Sequence, residues 1–302
     1  MTVRVVILGG TGFLGSHLGS RLVKEGFEVC SVGRRTGVAG ARHVVGDLFA
    51  MDDLDALFRE VDVCVHLATD VVPSTAEREG YAGLERNLAL ASRVADACAR
   101  ADVRKLIFSS SGGTVYGQDV LNAREDNQCR PIGLYGVQKV AVEALLRSRL
   151  RSTSCSLVNL RIGNPYGAGQ ERQRAHGVVG HLLRALISDS PFTVWGDGTQ
   201  VRDYVGVQDV VEAFLRAMSY SGEQDVFNVG SGVGTSTNQL IELCQSAAGK
   251  RLALTYGAHP AYDVDRVYLN IDRAGSALGW IPNVVLQDGI RDYYQDLLEM
   301  KL

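Results

Sequence analysis

One run near the N-terminus constrains this chain more than any other. An apolar strand, Val3–Leu8, leads without a break into Gly9-Gly-Thr-Gly-Phe-Leu-Gly15, and an amphipathic segment follows. Gly10, Gly12 and Gly15 satisfy G-x-G-x-x-G; Gly9, Gly12 and Gly15 satisfy G-x-x-G-x-x-G. In this context one glycine permits the tight strand-to-helix turn, a second lets the main chain approach a pyrophosphate, and a third lets helix and strand pack closely. The amides of Phe13, Leu14 and Gly15 would then face phosphate at the positive end of a helix. The strand-turn-helix setting separates this run from an ordinary glycine-rich turn.

The rest of the first half keeps the same rhythm. Val3–Leu8, Glu28–Val32, His43–Val45, Val63–Leu67, Lys105–Ser109 and Cys155–Leu160 read as strands. Phe13–Lys24, Met51–Phe58, Leu84–Arg100 and Tyr135–Leu150 read as helices between them. Short apolar strands alternating with helices predict an α/β fold, a Rossmann-type doubly wound parallel sheet. Beyond about residue 165 the alternation weakens, and glycine-rich turns mix with helical patterns at Val178–Ile187, Asp209–Met218 and Thr237–Ala247. The expected division is a dinucleotide-binding domain over residues 1–165 and a smaller substrate-binding lobe over 166–302, with 226–229 returning to the sheet as an open possibility.

Composition removes several function classes. A net charge of −3 over 302 residues argues against a nucleic-acid partner. The run Arg147, Arg149, Arg151 reads as a solvated helix end. With no signal-peptide pattern and no apolar run long enough for a bilayer, a soluble cytoplasmic protein without membrane contact is expected. Cys30, Cys64, Cys98, Cys129, Cys155 and Cys244 are scattered without a C-x-x-C pair and read as buried free thiols. His176 and His181 lack ligand spacing and a supporting cysteine or carboxylate cluster, so no metal site is expected.

The second informative stretch is Tyr135-Gly-Val-Gln-Lys139, downstream of Ser109-Ser-Ser-Gly-Gly-Thr-Val-Tyr-Gly117. Residues four apart share a helix face, so phenol and ammonium converge. A tyrosine with its ordinary pKa near 10 is a poor base, and a neighbouring cation together with an oxidised nicotinamide favours its phenolate. Tyr135 and Lys139 are the expected catalytic pair.

With these motifs the chain resembles, almost end to end, the extended short-chain dehydrogenase/reductase family of NAD(P)-dependent nucleotide-sugar epimerases, dehydratases and 4-ketoreductases. The resemblance implies cofactor contacts at Gly9, Gly12, Phe13, Leu14, Gly15, Asp47, Leu48, Leu67, Ala68, Asn87, Ser109, Tyr135 and Lys139. It extends to Arg161–Gly167, which is similar to the segment beside nicotinamide and substrate, and to Val194–Val205, similar to the nucleotide-binding element. Asn164, Trp195 and Arg202 are thereby implied in substrate binding. Arg202 suits a diphosphate as a planar charged fork; its alternative is an ion pair with Asp203. The implied partner is a dTDP-, UDP- or GDP-hexose. Helices 84–100 and 135–150 are expected to pair across a two-fold axis in a homodimer, through Leu84, Leu88, Ala91, Ala95, Cys98, Val142, Leu145, Leu146 and Leu150.

Four departures from the family pattern sharpen the reading. Gly33 replaces the acid that would hold an adenosine ribose, and Arg34 and Arg35 follow it. NADP(H) is therefore favoured, with NAD(H) possible. Gly112 stands where a hydroxyl is usual, leaving Ser111 or Thr114 as the catalytic hydroxyl. Gly112-Gly113-Thr114 offers no carboxylate pair, which argues against dehydration. His259 replaces a second phosphate-binding arginine, leaving Arg266 as the nearest cation. An NADPH-dependent NDP-4-keto-6-deoxyhexose 4-ketoreductase is favoured, with an NDP-hexose 4-epimerase holding NAD as the alternative. A non-catalytic dinucleotide sensor is more remote, because Tyr135 and Lys139 both stand.

Overall fold

The computed structural model describes residues 2–170 and 177–300. In chain order its strands are β1 (Arg4–Leu8), β2 (Glu28–Gly33), β3 (Arg42–Val45), β4 (Val63–His66), β5 (Lys105–Ser111), β6 (Val120–Ala123), β7 (Ser156–Ile162), β8 (Asn164–Tyr166), β9 (Phe192–Trp195), β10 (Val201–Gly206), β11 (Val226–Val229), β12 (Gly234–Ser236), β13 (Leu254–Gly257) and β14 (Val267–Leu269). Its helices are α1 (Phe13–Lys24), α2 (Asp55–Phe58), α3 (Pro73–Arg100), α4 (Gly112–Val115), α5 (Leu134–Leu150), α6 (Val178–Ser188), α7 (Val207–Ser219), α8 (Thr237–Ala248) and α9 (Leu286–Glu299).

Seven strands form one parallel sheet in the order β11-β7-β5-β4-β1-β2-β3. The chain reverses direction across this sheet between β1 and β4, where Leu8 pairs with both Val32 and His66. Ligands in such sheets bind outside the carboxyl ends of the strands at that reversal. The sheet is covered on both faces, which is why its strands read as continuous apolar runs. One face packs α3 and α5 over Val6, Leu8, Cys64, Leu106 and Phe108. The other packs α1 and α7 over Val5, Ile7, Val65, Ile107 and Leu160. A separate core joins α6, α8 and α9 around Leu182, Leu240 and Tyr293. Residues 226–229 return to the large sheet as its edge strand beside β7.

Several boundaries differ from the sequence reading for local reasons. The helix expected over Met51–Phe58 shrinks to Asp55–Phe58, because the Asp53 side chain accepts the Asp55 amide (2.7 Å) and holds a turn ahead of it. The helix expected from Leu84 starts at Pro73, with Gly80 (φ 57°) interrupting it. Strands β5 and β7 run on to Ser111 and Ile162.

The apolar stripe assigned to a dimer is largely the stripe that covers the sheet. Ala91, Ala95, Cys98, Val142, Leu146 and Leu150 are buried in that core, and only Leu84, Leu88 and Leu145 stay partly open. Cys129 is half-buried and the other five thiols are buried; all six are free. No helix among the described residues is long and apolar enough to cross a membrane. Of the two histidines considered as ligands, His176 lies outside the described residues and His181 sits in α6.

Candidate active site

The cofactor cradle forms where β1 ends. Gly9 takes φ 87°, and a β-carbon there would press on the Ala68 backbone (3.0 Å) at the end of β4. Gly15 faces the Gly9 carbonyl and the Gly10 Cα (2.7 Å), so any side chain would force the first turn of α1 off the strand. Gly12 precedes α1 without a side-chain cap, and the first turn contains no acid. Its amides are therefore available to an anion, and the residues fit a dinucleotide pyrophosphate. Leu67 and Ala68, just beyond β4, back onto Gly9 in the same crevice, and Phe13 lies edge-on to His17 (5.5 Å between centroids).

At the end of β2 the structure adds a detail that sequence reasoning missed. A β-carbon on Gly33 would collide with the Thr11 hydroxyl, so Thr11 fills part of the space an acidic side chain would need. The Gly46 amide donates to the Gly33 carbonyl (2.9 Å), bringing Asp47 alongside. Asp47 is exposed and accepts the Phe49 amide (3.1 Å), while Leu48 is buried. Arg34 and Arg35 are exposed, and neither has an ion pair or hydrogen bond among the described residues.

Tyr135 and Lys139 lie on the first turns of α5, with the ammonium 5.4 Å from the phenol ring centroid and 4.8 Å from that of Phe108. Lys139 is 4% exposed and donates to the Ser109 carbonyl (2.8 Å) at the end of β5. Burial lowers its pKa from 10.5 to about 8, opposed by the Glu143 carboxylate one turn on. Burial acts on Tyr135 as well. From the protein's own groups its pKa is pushed up to about 12 by desolvation. Burial and the Lys139 charge also hold His66 neutral, at about 3.

The two candidate hydroxyls differ in setting. Ser111 ends β5 half-buried, whereas Thr114 Oγ1 is buried with no hydrogen-bond partner among the described residues. Gly112 has a packing cause: a β-carbon there would meet Leu269 Cδ1 (2.6 Å) and the Arg161 carbonyl (2.9 Å). Asn164 Oδ1 approaches the same turn, 3.1 Å from where Gly113 would carry a β-carbon. Asn87 is buried, its amide nitrogen donating to Asp70 and to the Gly83 carbonyl (2.7 Å).

Arg202, Arg266 and Trp195 lie beyond residue 165, whereas Ser111 ends β5 and Asn164 opens β8. Arg202 does not pair with Asp203, because consecutive strand residues point to opposite faces. It pairs with Asp263 (2.7 Å) and donates to the Asp265 carbonyl (3.1 Å). Asp203 turns inward to accept from the Ser231 hydroxyl (2.7 Å) and the Leu269 amide (3.1 Å). Arg266 is exposed and pairs with Asp119 (2.8 Å). Trp195 is 59% exposed, its ring lying over Gly257.

The sequence reading also missed a buried polar network beneath α5. Glu143, one turn beyond Lys139, pairs with Arg161 (2.7 Å) and accepts the Ser110 hydroxyl. Its signal was the spacing Tyr135, Lys139, Glu143, which places all three on one helix face.

Residues 5–230 match the model of the NAD dependent epimerase/dehydratase family. The UDP-glucose 4-epimerase of Mycolicibacterium smegmatis is 34% identical over 304 residues, covering 95% of this chain and 96% of the relative. The dTDP-4-dehydro-6-deoxyglucose reductase of Escherichia coli is 29% identical over 304 residues, covering 95% of each. Among solved structures, the UDP-glucose 4-epimerase of Thermotoga maritima with UDP-glucose superposes with a TM-score of 0.94 at 29% identity, covering 99% of this chain and 100% of that one. With its glycine cradle, its Tyr135–Lys139 helix and this match, the chain belongs to the NAD-dependent epimerase/dehydratase family.

Proposed function

We propose that this chain transfers hydride at C4 of a nucleotide-linked hexose with NADP(H), acting as a reductase of a 4-keto-6-deoxy sugar. The observation that carries the cofactor choice, and with it the reducing direction, is the end of β2. There two exposed guanidinium groups, unpaired among the described residues, follow Gly33, which brings no carboxylate of its own to repel a 2′-phosphate. The bound cofactor supplies the hydride. Tyr135 gives its phenolic proton to the C4 oxygen, and Lys139 stabilises the phenolate left behind. Ser111 or Thr114 donates a hydrogen bond to the same oxygen. Arg202 exchanges Asp263 for the substrate diphosphate, Trp195 borders the base, and Asn164 and Arg266 complete the sugar-nucleotide contacts.

A 4-epimerase holding NAD is the second reading, and Thr11 favours it. Its hydroxyl narrows the space beside Gly33 that a 2′-phosphate would use, and the Mycolicibacterium and Thermotoga relatives are named as UDP-glucose 4-epimerases. Mass spectrometry of products from a panel of nucleotide sugars with NADH or NADPH separates the two. A product heavier by two hydrogens supports reduction; an isomer of equal mass supports epimerisation. A homodimer formed through α3 and α5 is part of this proposal. Its contact would use the outward side, where Leu88, Ala89, Val137, Ala141, Ala144 and Leu145 are open or partly open.

A further inference from the structure

We propose that Glu143, clamped by Arg161, is a positioning residue that holds Lys139 in its cationic form beneath Tyr135. The inference rests on the reading that Tyr135 and Lys139 work as the proton-transfer pair. It starts from the helix: Tyr135, Lys139 and Glu143 recur every four residues on α5 and share the face turned to β5. All the neutral surroundings of Lys139 disfavour its charge. It is 4% exposed, and among the described residues its hydrogen-bond acceptor is the Ser109 carbonyl alone. A buried ammonium with one neutral acceptor tends to lose its proton, and with it any power to stabilise a phenolate.

Glu143, one turn on, is the carboxylate whose charge favours the Lys139 cation. Of the other charged or titratable groups on elements packed against α5, His66 of β4 is neutral. Glu77 of α3 accepts the Leu134 amide at the start of α5 (2.7 Å), and Asp96 pairs with Arg149 at its far end. The half-buried Cys129 thiol lies towards Glu143 and Arg161. Arg161 of β7 stands on the opposite side of Glu143, gripping both carboxylate oxygens (Nε–Oε1 3.1 Å, Nη2–Oε2 2.7 Å). Its other nitrogen donates to the Tyr116 hydroxyl (3.1 Å), which donates to Asn228 Oδ1 (2.6 Å). The Asn228 amide is bound by Glu125 (2.9 Å). This chain of bonds fixes the guanidinium from β7 to β11 and leaves Glu143 one orientation. The Ser110 hydroxyl also binds Glu143, while the adjacent Ser109 carbonyl receives Lys139. Adjacent residues of one strand thus fix both partners.

The test reads Lys139 itself. The chain has five lysines, so protein labelled with ¹³C-lysine gives few side-chain signals, and Lys139→Met identifies the one of interest. In the native protein this signal should titrate near 8. Glu143→Gln keeps the shape and the Ser110 contact but removes the anion, leaving Arg161 uncompensated. The Lys139 midpoint should then fall by about one pH unit. Replacing the whole buried pair, as Glu143→Gln with Arg161→Met, is a tolerated kind of exchange. It should leave the midpoint between the other two, and it supplies the reading if the single variant does not fold. A midpoint unchanged in a folded variant lacking the Glu143 charge overturns the proposal. Because the titration needs no turnover, an inactive native protein would count against the proposed reaction and leave this inference standing.

Discussion

Lys139→Met should make the protein more stable at neutral pH while abolishing its activity. Unfolded, the lysine ionises at its ordinary 10.5; folded, burial brings it to about 8. Below pH 8 the folded state therefore holds a charge in an environment that disfavours it, at a cost of about 3 kcal/mol. Between pH 8 and 10.5 the folded state binds fewer protons than the unfolded one, so stability from this group rises with pH until the cost has vanished. Methionine fills similar volume without charge, but the bond to the Ser109 carbonyl (2.8 Å) is lost, a debit of about 1 kcal/mol. The net gain at pH 7 is about 2 kcal/mol, or roughly 3 °C for a chain of this size. Urea unfolding of both proteins at pH 7 and pH 10 isolates the term, because all other titrations are common to the pair. The variant should be the more stable at pH 7, and its advantage should shrink or reverse by pH 10. A variant less stable at both pH values would refute the argument that Lys139 is held against its own desolvation.

Four further outcomes follow from the site. Tyr135→Phe should lower turnover by about a hundredfold or more, the usual range for a lost general acid–base, with cofactor affinity unchanged by titration. Replacing Arg34 and Arg35 by alanine should weaken NADP(H) by roughly ten- to a hundredfold and leave NAD(H) nearly unaffected; equal losses for both cofactors would contradict the role assigned to them. Arg202→Ala should raise KM with kcat little changed, since a diphosphate contact is much the same in ground and transition states. Light scattering at micromolar concentration should give twice the 32.6 kDa chain mass, and a strictly monomeric mass would remove the proposed contact through α3 and α5.

The parts of this molecule legible in the sequence are those whose cause is local. The glycines after β1 announce their turn because the backbone there tolerates no side chain. The Tyr135–Lys139 spacing announces a shared helix face because helix periodicity alone produces it. What escaped depends on contacts between distant residues. The partner of Arg202 is Asp263, sixty-one positions away, because a strand turns its neighbour Asp203 to the other side. Thr11 fills the space beside Gly33 only once α1 has packed against β2. Glu143 meets Arg161 from another strand. Periodicity on α3 and α5 does not say whether a sheet or a second copy covers an apolar stripe; the sheet covers Ala91, Ala95, Cys98, Val142, Leu146 and Leu150 and leaves Leu84, Leu88 and Leu145 partly open. The small strands of the second lobe were missed since three- and four-residue elements carry too little pattern.

The central claim is hydride transfer at C4 from NADPH, and isotopic labelling reads it most directly. The protein is incubated with NADPH deuterated at nicotinamide C4, as each of the two epimers, and a nucleoside-diphosphate 4-keto-6-deoxyhexose. The recovered sugar nucleotide is examined by mass spectrometry and NMR. The account predicts that one epimer delivers its deuterium to C4 of the sugar, with stoichiometric oxidation of the cofactor and loss of transfer in Tyr135→Phe. Recovery of the keto sugar unlabelled, with NADPH unconsumed, would contradict it.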